Sequence, residues 1–277
     1  MVVFPKCKIN LGLNILRKRE DGFHELETVF LPVKVHDALE IISTETPTHI
    51  TVTGFSAGSL ENNLCLKAYC LVKKDYPQLP QISIHLHKAV PIGAGLGGGS
   101  ADAAYMLRLL NHKFNLGIPA DKLSVYALQL GSDCPFFLQD QPCLASGRGE
   151  VLRPVTVSLE DYQLMLVNPG IHVSTAEAFK NIRPSIPATR IQDVIGQPVD
   201  RWKFGLFNDF ERYVFEKYPA IKQLKDKMYQ QGALYAAMSG SGSSVYGIFA
   251  PGAALPNMGG DAAARQDSVK HTWWKKL

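Results

Sequence analysis

The chain has 277 residues, of which 46% are hydrophobic, and its formal net charge at pH 7 is +4. This composition is typical of an ordinary soluble globular protein that buries a sizeable core. The lysines and arginines are scattered along the chain, so we expect no nucleic acid as a partner.

Five cysteines form an odd set without a CxxC pair or a zinc-binding spacing, which favours reduced thiols over a disulfide framework or a zinc site. The N-terminal stretch MVVFPKCKINLGL has no basic region followed by a long apolar run. We therefore expect no signal peptide. No apolar run approaches membrane-spanning length, so we expect no membrane partner and a cytoplasmic location.

The first half of the chain is predicted to be rich in strands. Apolar and polar residues alternate over residues 9–15, which predicts a half-buried strand with Lys8 and Asn10 on its polar face. Asp21-Gly22 predicts a hairpin turn into a partner strand, ELETVFLPVKV. Further strands are predicted at ALEIIS, HITVTG and ISIHLHKAV, and helices over 62–76, 100–114 and 120–131.

A second lobe is predicted to begin near Pro154. Its predicted elements are a strand in YQLMLVNPG, a short helix in STAEAFKNI capped by Ser174 or Thr175, two helices in LFNDFERYVFEKYP and AIKQLKDKMYQQG, and two strands in ALYAAMSGSGSSVYGIFA. This mixture favours an α+β fold over a repeating βαβ sheet. We predict an N-terminal domain over 1–154 and a C-terminal domain over 155–277. The stretch 251–277 matches no motif, and the sequence does not indicate its role.

The stretch PIGAGLGGGSADAA has five glycines in seven residues, between a predicted strand and a predicted helix. Such a loop exposes main-chain N–H groups at a helix start, which suits a phosphate group. A Walker A loop would continue with lysine, which is missing here. A Rossmann loop would lead to an acidic residue at a strand end, whereas Asp121 starts a predicted helix. A flexible or tightly packed turn is the alternative interpretation.

These residues resemble the motifs of the GHMP kinases. The glycine loop is similar to the second motif of that family, MSGSGSSVYGIF to the third and CKINLGLNI to the first. The resemblance implies a two-lobed α+β fold with the active site in the cleft between the lobes, and an N-terminal domain that binds ATP without a Walker lysine. The ATP-binding residues that it implies are Pro91, Ile92, Gly93, Ala94, Gly95, Leu96, Gly97, Gly98, Gly99, Ser100 and Ala101.

Three further stretches, KINLGLNILRKREDGFHELETVF, LGSDCPFFL and ASGRGE, resemble one branch of this family. Its members use ATP to phosphorylate the 2-hydroxyl of a cytidyl diphosphate sugar alcohol in the non-mevalonate isoprenoid pathway, giving ADP and the 2-phosphate. Another GHMP kinase acting on homoserine, mevalonate or a sugar is the nearest alternative. A decarboxylase of the same fold and a non-catalytic nucleotide-binding module are the others.

By this resemblance Asp133 is the catalytic aspartate, which serves as base or as orienting group for the hydroxyl. Lys8 is expected to polarise the hydroxyl and to stabilise ionised Asp133, and Asn10 to bind substrate. Taken alone, Asp133 also fits a turn aspartate, Lys8 a surface lysine and Asn10 an exposed strand residue.

The resemblance also implies a clamp for the cytosine base. Phe23 would stack on the base, in a position where close relatives often have tyrosine, and His24 would hydrogen-bond to it. Thr175 and Phe179 would form the opposite wall. Packing alone is the competing interpretation for Phe23 and Phe179.

Magnesium is expected with ATP, and the Ser100 hydroxyl suits either a phosphate or Mg²⁺. The sequence identifies no metal ligand set beyond this, and we expect no tightly bound organic cofactor. The expected partners are ATP and the small-molecule alcohol. The oligomeric state is not indicated.

Overall fold

The computed structural model describes residues 1–56, 58–254, 256 and 271–277. The chain divides into two compact units that interleave along the sequence. The first unit consists of Met1–Lys8, Val35–Ile92 and Gly97–Asp140, and the second of Ile9–Lys34, Gly93–Leu96 and Gln141–Leu277. Strands and helices occur in both, as predicted for an α+β fold. The predicted boundary at residue 154 stays a prediction.

The strands are β1 Val2–Val3, β2 Lys6–Lys18, β3 His24–His36, β4 Ala38–Ser43, β5 His49–Gly54, β6 Ile82–Lys88, β7 Cys143–Ser146, β8 Val151–Pro154, β9 Gln163–Asn168, β10 Tyr235–Met238, β11 Val245–Phe249 and β12 His271–Lys276. The helices are α1 Leu64–Asp75, α2 Gly98–Lys113, α3 Ala120–Leu130, α4 Phe136–Gln139, α5 Thr175–Lys180, α6 Ile191–Ile195, α7 Phe210–Lys217 and α8 Pro219–Gln230, with a 3-10 helix at Val199–Phe204.

In the first unit a four-stranded sheet has the order β1-β4-β6-β5, in which β5 and β6 run parallel. Helices α1, α2 and α3 share one apolar core with this sheet. The Asn63 side chain accepts a hydrogen bond from the N–H of Cys65 and caps α1, and Gly131 ends α3. Asn63 is a residue type that favours a helix start, and α3 ends at Gly131 as predicted.

In the second unit a sheet of order β10-β11-β9-β12 shares its core with α7 and α8. Helix α5 is capped by Ser174, which was one of the two predicted capping residues, Ser174 and Thr175. The C-terminal strand β12 pairs antiparallel with β9, although no element was predicted there. Residues 255 and 257–270 of that segment lie outside the described residues.

The third sheet has the order β2-β3-β7-β8. The prediction of a half-buried β2 was wrong, because every residue from Cys7 to Ile15 is buried. The Asn10 backbone N–H donates to Ser239 Oγ at 3.3 Å, and the Tyr246 hydroxyl donates to the Asn10 carbonyl at 2.6 Å. The polar positions are therefore covered by hydrogen-bonding partners, as burial requires.

All five cysteines have free thiols, and only Cys70 is exposed. This agrees with the predicted absence of a disulfide framework. Within the described residues, no helix has both the length and the apolar character needed to cross a membrane.

Candidate active site

Lys8 and Asp133, the two predicted catalytic residues, lie together in the first unit. The Lys8 ammonium is 3.7 Å from Oδ2 of Asp133, and the Lys8 side chain is 4% exposed against 35% for Asp133. Burial lowers the pKa of Lys8, and the attraction of Asp133 opposes part of that shift. A half-accessible carboxylate beside a buried ammonium can orient and polarise a hydroxyl group.

The turn that carries Asp133 is fixed by its neighbours. The N–H of Cys134 donates to the carbonyl of Gly131 at 3.1 Å, and the N–H of Phe137 donates to the carbonyl of Cys134 at 3.2 Å. Burial raises the pKa of Cys134 to about 12, although a hydrogen bond with Ser100 lowers it in part. Cys134 is thus a packed thiol that anchors the turn, and Asp133 stays at the surface.

The second part of the glycine loop begins α2 next to Lys8. Gly97 has φ +67°, and a Cβ there would lie 2.9 Å from Cζ of Phe137 and 3.2 Å from Cε of Lys8. Glycine is therefore required for this close approach. The first N–H groups of a helix have no partner within it, and their partial positive charge favours a bound anion.

The first part of the glycine loop, Gly93–Leu96, packs against the predicted third motif in the second unit. The Ser239 hydroxyl donates to the carbonyl of Gly95 at 2.8 Å, and the N–H of Ser244 donates to that of Ala94 at 3.1 Å. A Cβ on Gly95 would overlap the Ser239 carbonyl. The two glycine-rich segments therefore hold each other in place.

Asn208 was not predicted as a site residue. Its side chain hydrogen-bonds to the backbone of the third-motif turn. Its side-chain amide donates to the carbonyls of Met238 and Gly240, at 2.8 Å each. The predicted substrate residue Asn10 donates through its side-chain amide to Thr28 Oγ1 at 3.0 Å. The structure therefore gives Asn10 a position within a buried polar network.

Two of the predicted base-binding residues contact each other in the second unit. The rings of His24 and Phe179 are stacked with centroids 5.2 Å apart, and Phe210 meets Phe179 edge-on at 4.8 Å. For a base to stack between two rings, the rings must lie about 7 Å apart, because each stacking contact takes about 3.5 Å. His24 and Phe179 thus form one stacked wall in this structure. Burial, followed by the charge of Lys18, lowers the pKa of His24, which favours a neutral ring at pH 7.

The remaining predicted base-binding residues are accessible. Phe23 is 51% exposed, and the Arg148 guanidinium lies 4.7 Å from its ring centroid. The Thr175 and Ser241 hydroxyls are 2.8 Å apart, which links Thr175 to the third-motif turn. The Glu150 carboxylate accepts the N–H of Arg148 at 2.6 Å and so orders the GRGE loop.

A buried ion cluster next to the glycine loop was not foreseen. Lys88 donates to Asp102 Oδ2 at 2.7 Å and also to Asp37, and all three side chains are at most 4% exposed. A signal was present in the sequence, because Ile82, Ile84 and Leu86 place Lys88 on the inward face of β6 by the two-residue period of a strand. Asp102 likewise lies among alanines in α2.

Two family models match the chain, and each matched range contains one of the two glycine-rich segments. The sequence model of the GHMP kinases N terminal domain matches residues 63–147, and that of the GHMP kinases C terminal region matches residues 200–264. The 4-diphosphocytidyl-2-C-methyl-D-erythritol kinase of Bacteroides fragilis is 50% identical over 267 residues, covering 95% of this chain and 97% of that protein. The chain belongs to the 4-diphosphocytidyl-2-C-methyl-D-erythritol kinases of the GHMP kinase family.

A solved 4-(cytidine 5'-diphospho)-2C-methyl-D-erythritol kinase is 31% identical, has a TM-score of 0.74 and covers 90% of each chain. The homoserine kinase of Cytophaga hutchinsonii has a TM-score of 0.63 at 15% identity, covering 88% of this chain and 85% of that one. This second likeness shows the fold alone. Membership of the 4-diphosphocytidyl-2-C-methyl-D-erythritol kinases makes the chain an ATP-dependent phosphotransferase of isoprenoid biosynthesis.

Proposed function

We propose that the chain transfers the γ-phosphoryl group of ATP to the 2-hydroxyl of 4-diphosphocytidyl-2-C-methyl-D-erythritol. The observation that carries this proposal is the Lys8–Asp133 pair, whose lysine stem passes Gly97 at the start of α2. One unit of the chain thus brings together a carboxylate, an ammonium and a helix N-terminus. These are the groups that a phosphoryl transfer to an alcohol requires.

In the proposed reaction Asp133 accepts a hydrogen bond from the 2-hydroxyl and takes its proton as the new oxygen–phosphorus bond forms. The bond between the γ-phosphorus and its bridging oxygen breaks, and ADP leaves. Lys8 stabilises the ionised carboxylate and the negative charge that develops on the attacking oxygen. The main-chain N–H groups of Gly97–Ala101 bind phosphate oxygens.

The cytidyl group would be recognised in the second unit. A neutral histidine offers one N–H donor and one acceptor, which suits the polar edge of a cytosine. His24 is kept neutral by burial and fixed by its stack on Phe179. The exposed ring of Phe23 supplies a stacking surface for the base.

Magnesium belongs to this proposal as a partner of the nucleotide. The described residues contain no group of three or more His, Cys, Asp or Glu side chains that could hold a metal ion. Kinase sites hold Mg²⁺ largely through substrate phosphates and water, with few protein ligands. The Ser100 hydroxyl at the start of α2 is an oxygen donor of the required type. The ion would neutralise charge on the phosphates.

The test measures ADP formation with the cytidyl erythritol substrate, mevalonate and homoserine in parallel. We expect activity on the first substrate alone, and a loss of at least about 100-fold in kcat for Asp133→Asn. The matched control is Asp140→Asn, since Asp140 pairs with Lys6 at 2.8 Å on the same unit's surface. Turnover of mevalonate, or equal activity of the two variants, would refute the assignment.

A further inference from the structure

The two ends of the glycine loop are tied to one buried cluster of three ionisable residues in the first unit. Asp37 accepts the backbone N–H groups of Ala89 and Val90 through Oδ1, at 2.6 Å and 2.8 Å, immediately before the loop begins. The other oxygen of Asp37 accepts a hydrogen bond from Lys88. The chain entering the loop is therefore held by both oxygens of one carboxylate.

The chain leaving the loop is held by the same lysine. The Lys88 ammonium donates to Asp102 Oδ2 at 2.7 Å, and Asp102 lies one turn into α2. A Cβ on Gly98 would lie 3.3 Å from the Lys88 ammonium and 3.0 Å from the Val90 side chain. The first turn of α2 thus rests directly on the end of β6.

The charges of the cluster argue for a mechanical role. A lone ammonium close to the loop could attract phosphate directly, but Lys88 already faces two carboxylates and is fully buried. A buried ion pair stabilises a fold no better than apolar residues of the same volume, so its contribution is better sought in the geometry that it imposes. Here the imposed geometry is the distance between the two loop stems. These stems are the chain that enters the loop at Ala89 and Val90 and the first turn of α2, which leaves it.

We propose that Asp37, Lys88 and Asp102 are positioning residues that hold the glycine loop in the shape that binds the ATP phosphates. The inference rests on the proposed function of the loop and adds residues to it. None of the three residues is proposed to contact the substrate. They act through the main-chain N–H groups, whose directions depend on the angle between the end of β6 and the start of α2.

The experiment uses substitutions at Asp102, because Lys88→Met would leave two buried carboxylates facing each other. Asp102→Ala removes the bond to Lys88, whereas Asp102→Asn keeps an oxygen that can accept it. We expect Asp102→Ala to raise KM for ATP about tenfold while KM for the alcohol substrate stays unchanged. We expect Asp102→Asn to restore KM for ATP to near the wild-type value.

Leu110→Ala is the matched control, since Leu110 is buried in the same helix, away from the loop. It lowers stability by opening a cavity without changing the loop stems, and its KM for ATP should stay at the wild-type value. Equal effects of Asp102→Ala and Leu110→Ala on KM for ATP would overturn the inference. So would failure of Asp102→Asn to restore KM.

Calorimetric binding of a non-hydrolysable ATP analogue separates this inference from the proposed function. Wild-type protein that binds the analogue without turning over the cytidyl substrate would refute the proposed reaction and leave the positioning role to be judged from Kd. Asp102→Ala should then raise the Kd for the analogue about tenfold. Active wild-type protein and an unchanged Kd in Asp102→Ala would overturn the positioning role alone.

Discussion

Only one partner of the Lys8–Asp133 pair is accessible, because the ammonium is enclosed while 35% of the carboxylate side chain is exposed. An ion pair of this kind serves chemistry more than stability, since the exposed acid remains hydrated when its partner is removed. The enclosed ammonium lies close enough to polarise a group that hydrogen-bonds to Asp133.

Lys8→Met keeps most of the length of the side chain and removes its charge. We expect kcat to fall about 100-fold or more, while the free energy of unfolding changes by no more than about 1 kcal/mol. Steady-state kinetics and urea unfolding check the two halves of this statement. Lys6→Met, which breaks the exposed Lys6–Asp140 pair, should leave kcat unchanged. An equal fall in kcat for both variants would contradict the assignment of Lys8.

Gly95→Ala places a Cβ on the Ser239 carbonyl, at a residue with φ +77°. We expect it to lower the free energy of unfolding by about 3 kcal/mol and to raise KM for ATP. Gly232→Ala is the control, because Gly232 also has a positive φ and a Cβ there meets nothing within 4 Å. Backbone strain alone should cost that variant about 1 kcal/mol. Urea unfolding of both variants would show whether the contact with Ser239 matters.

Asp102 makes stability depend on pH. Burial raises its pKa to about 7, although Lys88 opposes the shift, whereas an unfolded chain gives an aspartate a pKa of about 3.9. The folded state thus holds a proton that the unfolded state lacks between about pH 4 and 7. The stability linked to that proton is complete below this window and is lost as pH rises through it.

Asp102→Asn carries no such proton. Its free energy of unfolding, measured relative to that of the wild type, should therefore increase as the pH is raised from about 4 to 8. Urea unfolding at several pH values measures this difference. A difference that does not vary with pH would show that Asp102 titrates alike in both states.

Phe23→Ala removes an exposed ring, so we expect little change in stability and a rise of about tenfold in KM for the cytidyl substrate. Phe23→Tyr should keep KM near the wild-type value, because stacking needs only the ring. Phe204 is 68% exposed with Lys203 over its ring at 5.2 Å, which makes Phe204→Ala the matched control. Similar KM values for the two alanine variants would argue against base stacking on Phe23.

The local sequence indicated most elements of the fold because their patterns and caps are strong. Asn63 before α1, Gly131 after α3 and Ser174 before α5 are helix boundary residues that act through nearby backbone groups. The alternation in β2 predicted a strand but misjudged its burial. Partners more than two hundred residues away cover Asn10, and no local pattern reports such contacts.

For the site, the resemblance supplied Lys8 and Asp133, and the structure brings them together. Each residue alone fits an ordinary surface position, so their pairing could not follow from composition or spacing. Lys88 was missed because a charged residue at the end of a strand is usually solvated. Its burial depends on Asp37 and Asp102, which only the folded chain places around it.

The hydrogen bonds from Ser239 and Ser244 to the Gly95 and Ala94 carbonyls have a consequence for biosynthesis of the chain. The loop residues are made early, whereas the serines that fix them are made late. A nascent chain still on the ribosome therefore lacks the contacts that shape the first part of the glycine loop. Under the proposed function, the full stabilising effect of bound ATP is expected only after the third motif has emerged.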